Sequence, residues 1–117
     1  MKEEENTPII NFHEKLIQKY IEQKRPPVEL RDQIDIGYTF EDGILEIFEI
    51  RPKWKSINVK INSPVARVKY IKSRKLWRIY WMRASGKWEL YEPKEDVKDL
   101  SEFFKVIEED KHGCFWG

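Results

Sequence analysis

The sequence predicts an α+β fold in which an antiparallel sheet of about five strands, a β-meander, is flanked by an N-terminal and a C-terminal helix. Apolar residues recur at helical spacing near both ends of the chain, and they alternate with polar residues in the middle, between clear turn signals. The chain has 117 residues, of which 40% are hydrophobic and 14% aromatic. That length and composition predict a single domain spanning residues 1–117 around one core.

The first helix is expected over residues 8–24. Thr7 and Pro8 are typical of an N-cap and a first helical position, and the proline pair at positions 26 and 27 ends the helix. Its apolar stripe consists of Ile9, Ile10, Phe12, Leu16, Ile17, Tyr20 and Ile21. Residues 1–6 are rich in glutamate and are expected to form a disordered acidic tail.

The second helix is expected after Asp99, because Asp99 and Glu102 have the spacing of a capping box. Its apolar residues are Leu100, Phe103, Phe104 and Ile107. Gly113 is its expected terminator. We expect both helices to cover the apolar face of the sheet.

Asp42-Gly43 predicts a two-residue hairpin turn, since both turn positions favour positive φ. Folding about that turn pairs Phe40 with Leu45 and Tyr38 with Ile47. On the other face it sets Gly37 opposite Phe48, where the missing side chain leaves room for a ring.

Pro52 interrupts the following strand, so residues 54–61 are expected to form an irregular or edge segment. Three further strands are predicted at residues 65–71, 76–82 and 87–91, joined by four-residue loops. This register pairs Tyr70 with Trp77, and it also sets Trp81 opposite Trp88 and Ile79 opposite Leu90.

Charge is strongly segregated along the chain. The whole sequence holds 22 basic and 21 acidic residues, yet residues 51–88 contain twelve Lys or Arg and no Asp or Glu. A basic stretch of this kind attracts polyanions, and acidic flanks can screen it or pair with it.

One face of the predicted sheet collects cations and aromatic rings. Single-stranded nucleic-acid binders combine cations that follow the phosphates with rings on which bases stack, so this face is the main candidate binding site. Its candidate residues are Arg67, Lys69, Arg78, Tyr80, Lys87 and Tyr91. A solvated sheet face uses the same residue types. A structural or protein-interaction module, formed with a second copy or an acidic protein partner, is the alternative function.

A secondary candidate site comprises Glu49, Arg51 and Trp54, which could anchor a ligand or stack a base. The alternative interpretation is an ion pair beside a packed Trp. A metal-dependent nuclease would need Asp35 or Asp42 to converge with Glu49 on a divalent ion, but the register sets Asp35 and Glu49 on opposite faces. We therefore predict no catalytic residue, no metal ligand and no cofactor.

Cys114 is the only cysteine, so no intramolecular disulfide can form. His112 lies two residues away, and an ordinary helix-end histidine beside a packed cysteine explains this pair better than catalysis does. The start of the chain has no signal-like apolar region, and no apolar run approaches the roughly 20 residues that span a bilayer. These features predict a cytoplasmic protein that does not bind membranes.

Several segments of the chain resemble a family of short, mainly bacterial proteins, the domain of unknown function 3024. They are Arg25-Pro-Pro27, Arg31-Asp-Gln33, Glu49-Ile-Arg-Pro-Lys-Trp54, Val65-Ala-Arg-Val-Lys-Tyr70, Leu76-Trp-Arg-Ile-Tyr-Trp81, Gly86-Lys-Trp88, Tyr91-Glu-Pro93 and Phe115-Trp-Gly117. The resemblance implies one small standalone domain and supplies no activity. We expect the final aromatic pair to be docked, because two large exposed rings would be costly.

Overall fold

The computed structural model describes residues 2–116, except for the side chains of residues 2–11 and 57. The chain forms two helices and six strands, together with short 3-10 turns at Val28–Leu30 and Glu92–Lys94. The elements are α1 (Lys2–Lys24), β1 (Asp35–Glu41), β2 (Ile44–Lys53), β3 (Ser56–Ile71), β4 (Leu76–Met82), β5 (Trp88–Leu90), β6 (Asp96–Val97) and α2 (Leu100–Glu109). The predicted α+β class, with a helix at each end of an antiparallel sheet, is confirmed.

The sheet is antiparallel throughout, with β1, β2, β3 and β4 side by side in that order. The other edge of β4 pairs with β5 through residues 80–82 and with the short strand β6 through residues 77 and 78. Both helices pack on one face, as predicted, and bury a single cluster of apolar side chains there. Its largest fully buried members are Ile17, Leu45, Ile47, Val68, Ile79, Leu100, Phe103 and Ile107.

The first hairpin has the predicted turn and register. Asp42 and Gly43 adopt φ angles of 52° and 75°, and they join Glu41 to its partner Ile44. Gly37 lies opposite Phe48, and a Cβ atom at position 37 would lie 2.8 Å from Cε1 of that ring. The glycine is therefore required by the close approach of the ring.

The predicted register of the β3–β4 hairpin is confirmed, but that of the β4–β5 hairpin is wrong by one residue. Tyr80 lies opposite Leu90 and Met82 opposite Trp88. The cause is a three-residue loop that ends at Gly86, whose φ of 88° and N–H bond to the Arg83 carbonyl (2.8 Å) are typical of such loops. Because side chains alternate along a strand, this slip moves every β5 side chain to the other face.

Residues 56–61, predicted to lie in an irregular or edge segment, form the first part of β3 and have a strand partner on one side only. They pair with the end of β2, where Pro52 lies opposite Lys60. Strand β1 pairs with β2 only as far as Ile50, so Pro52 has a neighbouring strand on one side alone. Proline is tolerated at such edge positions, and the strand continues through it.

Helix α1 ends at Lys24 as predicted, but it begins at Lys2 rather than at Pro8. Residues 2–6, expected to be a disordered tail, lie within this helix, and glutamate is a good helix former. Phe12 was assigned to the buried stripe but is 62% exposed. The predicted contacts of Ile9 and Ile10 lie outside the described side chains.

Helix α2 has the predicted N-cap, since Oδ1 of Asp99 accepts a bond from the Glu102 N–H at 2.9 Å. Its terminator is Asp110, in the left-handed conformation with φ 41°, and not Gly113 as expected. The Asp110 carboxylate accepts the N–H groups of Phe115 at 3.1 Å and Trp116 at 2.8 Å. Residue 110 therefore ends the helix and holds the C-terminal segment.

The predicted docking of the aromatic C-terminal pair is confirmed for Phe115 and Trp116. Phe115 is 7% exposed and its ring centroid lies 4.9 Å from that of Tyr91. Nζ of Lys24, at the end of α1, lies 4.4 Å from the Trp116 ring. The two rings thereby join the end of the chain to both the sheet and the first helix.

Candidate nucleic-acid interface

Four of the six predicted binding residues lie together on the sheet face that points away from both helices, which we call the open sheet face. Strands β3 and β4 set Arg67 opposite Tyr80 and Lys69 opposite Arg78. Alternation then leaves Val68 and Ile79 on the helix-covered face, where both are fully buried. The register of this hairpin therefore brings three cations and one tyrosine together.

Tyr91 and Lys87, the other two predicted residues, do not belong to this face. Tyr91 is 3% exposed and packs in the core against Phe115. Burial raises the pKa of its hydroxyl. Lys87 lies exposed in the loop before β5. The one-residue slip of β5 is the physical reason for both corrections.

The same slip places Trp88 on the open sheet face. The guanidinium carbon of Arg67 lies 5.7 Å from the Trp88 ring centroid, a cation–π contact. Trp88, Phe48 and Pro64 are among the walls of a shallow cavity of about 200 Å³ on this face. Sequence reasoning missed Trp88 and Phe48 as candidate residues. The available signal was Gly86, which a three-residue loop requires at its last position.

Acidic residues from outside the basic stretch neutralise several of its arginines. Nε of Arg67 lies 3.0 Å from Oε2 of Glu46, at an angle too bent for a hydrogen bond. Arg83 pairs with Glu89 at 3.1 Å. Within the described part of the chain, Lys69 and Arg78 have no ion-pair partner. These two residues are therefore the cations of the open sheet face that form no ion pair, although Asp96 is the cross-strand neighbour of Arg78.

The secondary candidate residues are separated along the second hairpin. Arg51 forms an ion pair with Glu49, with 2.9 Å between Nη2 and Oε1, as one interpretation of the sequence expected. The same interpretation expected Trp54 to be packed, and this is wrong, because Trp54 is 81% exposed at the turn between β2 and β3. A turn has no neighbouring element to cover so large a ring.

The carboxylates considered for a nuclease site do not converge. Asp35 and Glu49 occupy opposite faces, because Glu49 is paired with the next residue, Ile36. Asp35 accepts two bonds from Arg25, at 2.9 and 2.8 Å, and these hold the pKa of its carboxyl below the usual range. Among the described residues, no three His, Cys, Asp or Glu side chains are grouped so as to hold a metal ion.

A second cavity, of about 680 Å³, opens on the helix-covered side beside the turns of two hairpins. Its aromatic wall contains His13, Phe40, Tyr70 and Trp77. The His13 ring lies 5.3 Å from that of Trp77, and burial lowers the pKa of the imidazole. The rim mixes lysines with carboxylates. It therefore lacks the one-sided positive charge that attracts a polyanion.

The only thiol shows no sign of activation. Sγ of Cys114 lies 3.8 Å from the His112 carbonyl oxygen, so its contact is with the backbone rather than the imidazole. Burial raises the pKa of the thiol, and nearby Asp110 acts in the same direction. A nucleophilic cysteine needs the opposite shift.

Comparison with known proteins yields one match. The model of a family described as "Domain of unknown function (DUF3024)" matches residues 5–117. No curated protein and no solved structure matches the chain. In the described residues, neither helix is both long enough and apolar enough to cross a membrane.

Proposed function

The chain belongs to the family of the domain of unknown function 3024, whose description carries no activity, and we propose that it is a non-catalytic module whose open sheet face binds single-stranded nucleic acid. One observation carries this proposal. Lys69 and Arg78 have no ion-pair partner within the described chain, and they lie on the same uncovered face as Tyr80 and Trp88.

The residue types on this face suit a flexible polyanion that carries aromatic bases. Lysine and arginine attract phosphates, while rings stack on bases without regard to sequence, at roughly 1–3 kcal/mol per base. Tyr80 and Trp88 belong to adjacent paired strands, and Arg67 covers part of the indole. We propose that bases stack on these rings while Lys69 and Arg78 bind the phosphates.

The proposed site of action is the cytoplasm. A single cysteine, which can form no intramolecular disulfide, is compatible with a reducing compartment.

The test is oligonucleotide binding at two salt concentrations, with Arg78→Ala and Tyr80→Ala compared with the wild-type protein. We expect log K to fall against log[salt] with a slope of about −0.7 for each phosphate contacted. Arg78→Ala should reduce that slope. Tyr80→Ala should weaken binding roughly 5- to 150-fold while leaving the slope unchanged, because a stacked base carries no net charge.

Two matched controls lie on the helices. Lys105→Ala removes an exposed cation from α2, and Phe12→Ala removes an exposed ring from α1. Neither should change affinity, since both helices lie on the other side of the sheet. The proposal would be contradicted if the wild-type protein did not bind at low salt. It would also be contradicted if the control variants lost as much affinity as Arg78→Ala and Tyr80→Ala.

A second candidate function is self-association or binding to an acidic protein surface. Two observations favour it. Strand β1 is an edge strand of seven residues with a partner on one side only, and such edges can pair with another chain. Met82 and Leu90 add half-buried apolar area to the open sheet face. Salt-dependent self-association in sedimentation velocity, without oligonucleotide binding, would favour this function over the first.

A further inference from the structure

Strands β2 and β3 extend beyond the rest of the sheet as a two-stranded ribbon. Strand β1 pairs with β2 no further than Ile50, and β4 pairs with β3 only from Ala66 onwards. Residues 51–61, which we call the β-arm, therefore have only each other as strand partners. An isolated two-stranded ribbon is marginally stable in water, so this extension gains little stability from strand pairing.

The tip of the β-arm exposes a large ring. Trp54 is 81% exposed, and Nζ of Lys55 lies 4.4 Å from the centroid of its ring. Val59 and Ile61 on the same arm are 49% and 47% exposed. Tryptophan is enriched at interaction surfaces, because its large ring contributes much of the contact area.

The charge of the β-arm is entirely positive. It contains Arg51, Lys53, Lys55 and Lys60 and no acidic residue. Arg51 is paired with Glu49, and Lys60 donates to the carbonyl oxygen of Asp32 at 2.7 Å. Lys53 and Lys55, on either side of Trp54, have no ion-pair partner within the described chain. Their charge complements a polyanion.

We propose that the β-arm is a second contact point for the nucleic acid, in which Trp54 stacks on a base while Lys53 and Lys55 bind the adjacent phosphates. This proposal rests on the proposed function, which it extends from the open sheet face to the arm. A polyanion with aromatic bases fits the arm better than a lipid surface does, because membrane-binding elements bury a broad apolar face. In the β-arm, by contrast, the Trp54 ring lies between two cations, Lys53 and Lys55.

The distance between the two contact points provides a length test. Arg67 pairs with Glu46 and Ser56 pairs with Lys53, so seven positions along β2 separate the tip from the open sheet face, roughly 23 Å at about 3.3 Å per residue. An oligonucleotide of roughly 3 nucleotides bound to the open face would not reach Trp54, whereas one of roughly 20 would.

The experiment measures the affinity of wild type, Trp54→Ala and Trp54→Phe for both oligonucleotides at low salt. We expect Trp54→Ala to weaken binding of the longer oligonucleotide roughly tenfold and to leave the shorter one unchanged. Trp54→Phe should retain part of the affinity, because it keeps a stacking ring. Val59→Ala is the matched control on the same arm, and thermal melting confirms that each variant is folded.

The outcomes separate this proposal from the proposed function. If wild type binds both oligonucleotides and Trp54→Ala binds them equally well, the β-arm proposal is overturned and the open sheet face stands. If wild type binds neither, both proposals fall. If Trp54→Ala loses binding only to vesicles of anionic lipid, the arm contacts membranes and the nucleic-acid contact is overturned.

Discussion

Gly37 illustrates how single residues set the geometry of the open sheet face. The Phe48 ring occupies the space that a side chain at position 37 would need, with 2.8 Å between the ring and a Cβ atom placed there. The hairpin register alone was sufficient to predict this contact, because directly opposed residues are neighbours in an antiparallel pair. Phe48 in turn forms one wall of the shallow cavity beside Trp88.

We expect Gly37→Ala to lower the free energy of unfolding by about 1–3 kcal/mol, since an added methyl group would displace a ring in a packed site. Urea denaturation measures the change. Thr39→Ala, two residues further along the same strand, should cost less than about 1 kcal/mol. Combining Gly37→Ala with Phe48→Leu should restore part of the loss. Equal stability of Gly37→Ala and wild type would contradict the steric argument.

At the scale of elements, the hairpins show where sequence reasoning succeeds and where it fails. Asp42-Gly43 specifies a two-residue turn uniquely, so the register that follows from it is confirmed. The sequence after β4 is compatible with a loop of three or of four residues. Aromatic residues flank this loop in both strands, so the apolar pattern does not choose between the two registers. The choice moves Tyr91 into the core and Trp88 out of it. Of the two rings predicted for the open sheet face, Tyr80 and Tyr91, the second was therefore misplaced because the loop is one residue shorter than predicted.

The connection from α1 to β1 is stabilised by the ion pair of Arg25 with Asp35, at 2.8 Å between Nη2 and Oδ2. Because this pair lowers the carboxyl pKa, its contribution is present above the ordinary value of 3.8 and is lost as pH falls through the lowered one. We expect Asp35→Asn to lower the melting temperature by a few degrees at pH 7, and the difference from wild type to shrink in acid.

Thermal melts between pH 7 and pH 2 test this prediction, with the exposed Asp32→Asn as the matched control. The control should follow the wild-type profile at every pH. A difference between Asp35→Asn and wild type that persisted at the acid end would show that the ion pair is not its cause.

At the scale of the whole molecule, the C-terminal segment meets the end of the first helix. Phe115 completes the core beside Tyr91, and Trp116 packs against the end of α1. Lys24 on α1 also pairs with Glu108 on α2 at 3.1 Å. The aromatic C-terminal pair therefore connects three parts of the fold that are distant in sequence.

We expect deletion of residues 115–117 to lower the melting temperature by about 4 °C or more, because it removes one buried ring and one ring packed on α1. Differential scanning calorimetry measures the shift. The exposed Lys111→Ala, just upstream, is the control and should melt as wild type does. An unchanged melt after the deletion would mean that the docked rings contribute nothing to stability.

The sequence by itself determined the fold class, the turns of the β1–β2 and β3–β4 hairpins, the helix-covered face and the docking of the aromatic end. Each of these follows from local periodicity or from a turn that only one backbone conformation satisfies. Only the tertiary structure decided which rings share the open sheet face, that β2 and β3 continue as an exposed arm, and that Asp110 ends α2. These features depend on a loop length, on a missing neighbouring strand and on contacts between distant segments, and local sequence does not specify any of them.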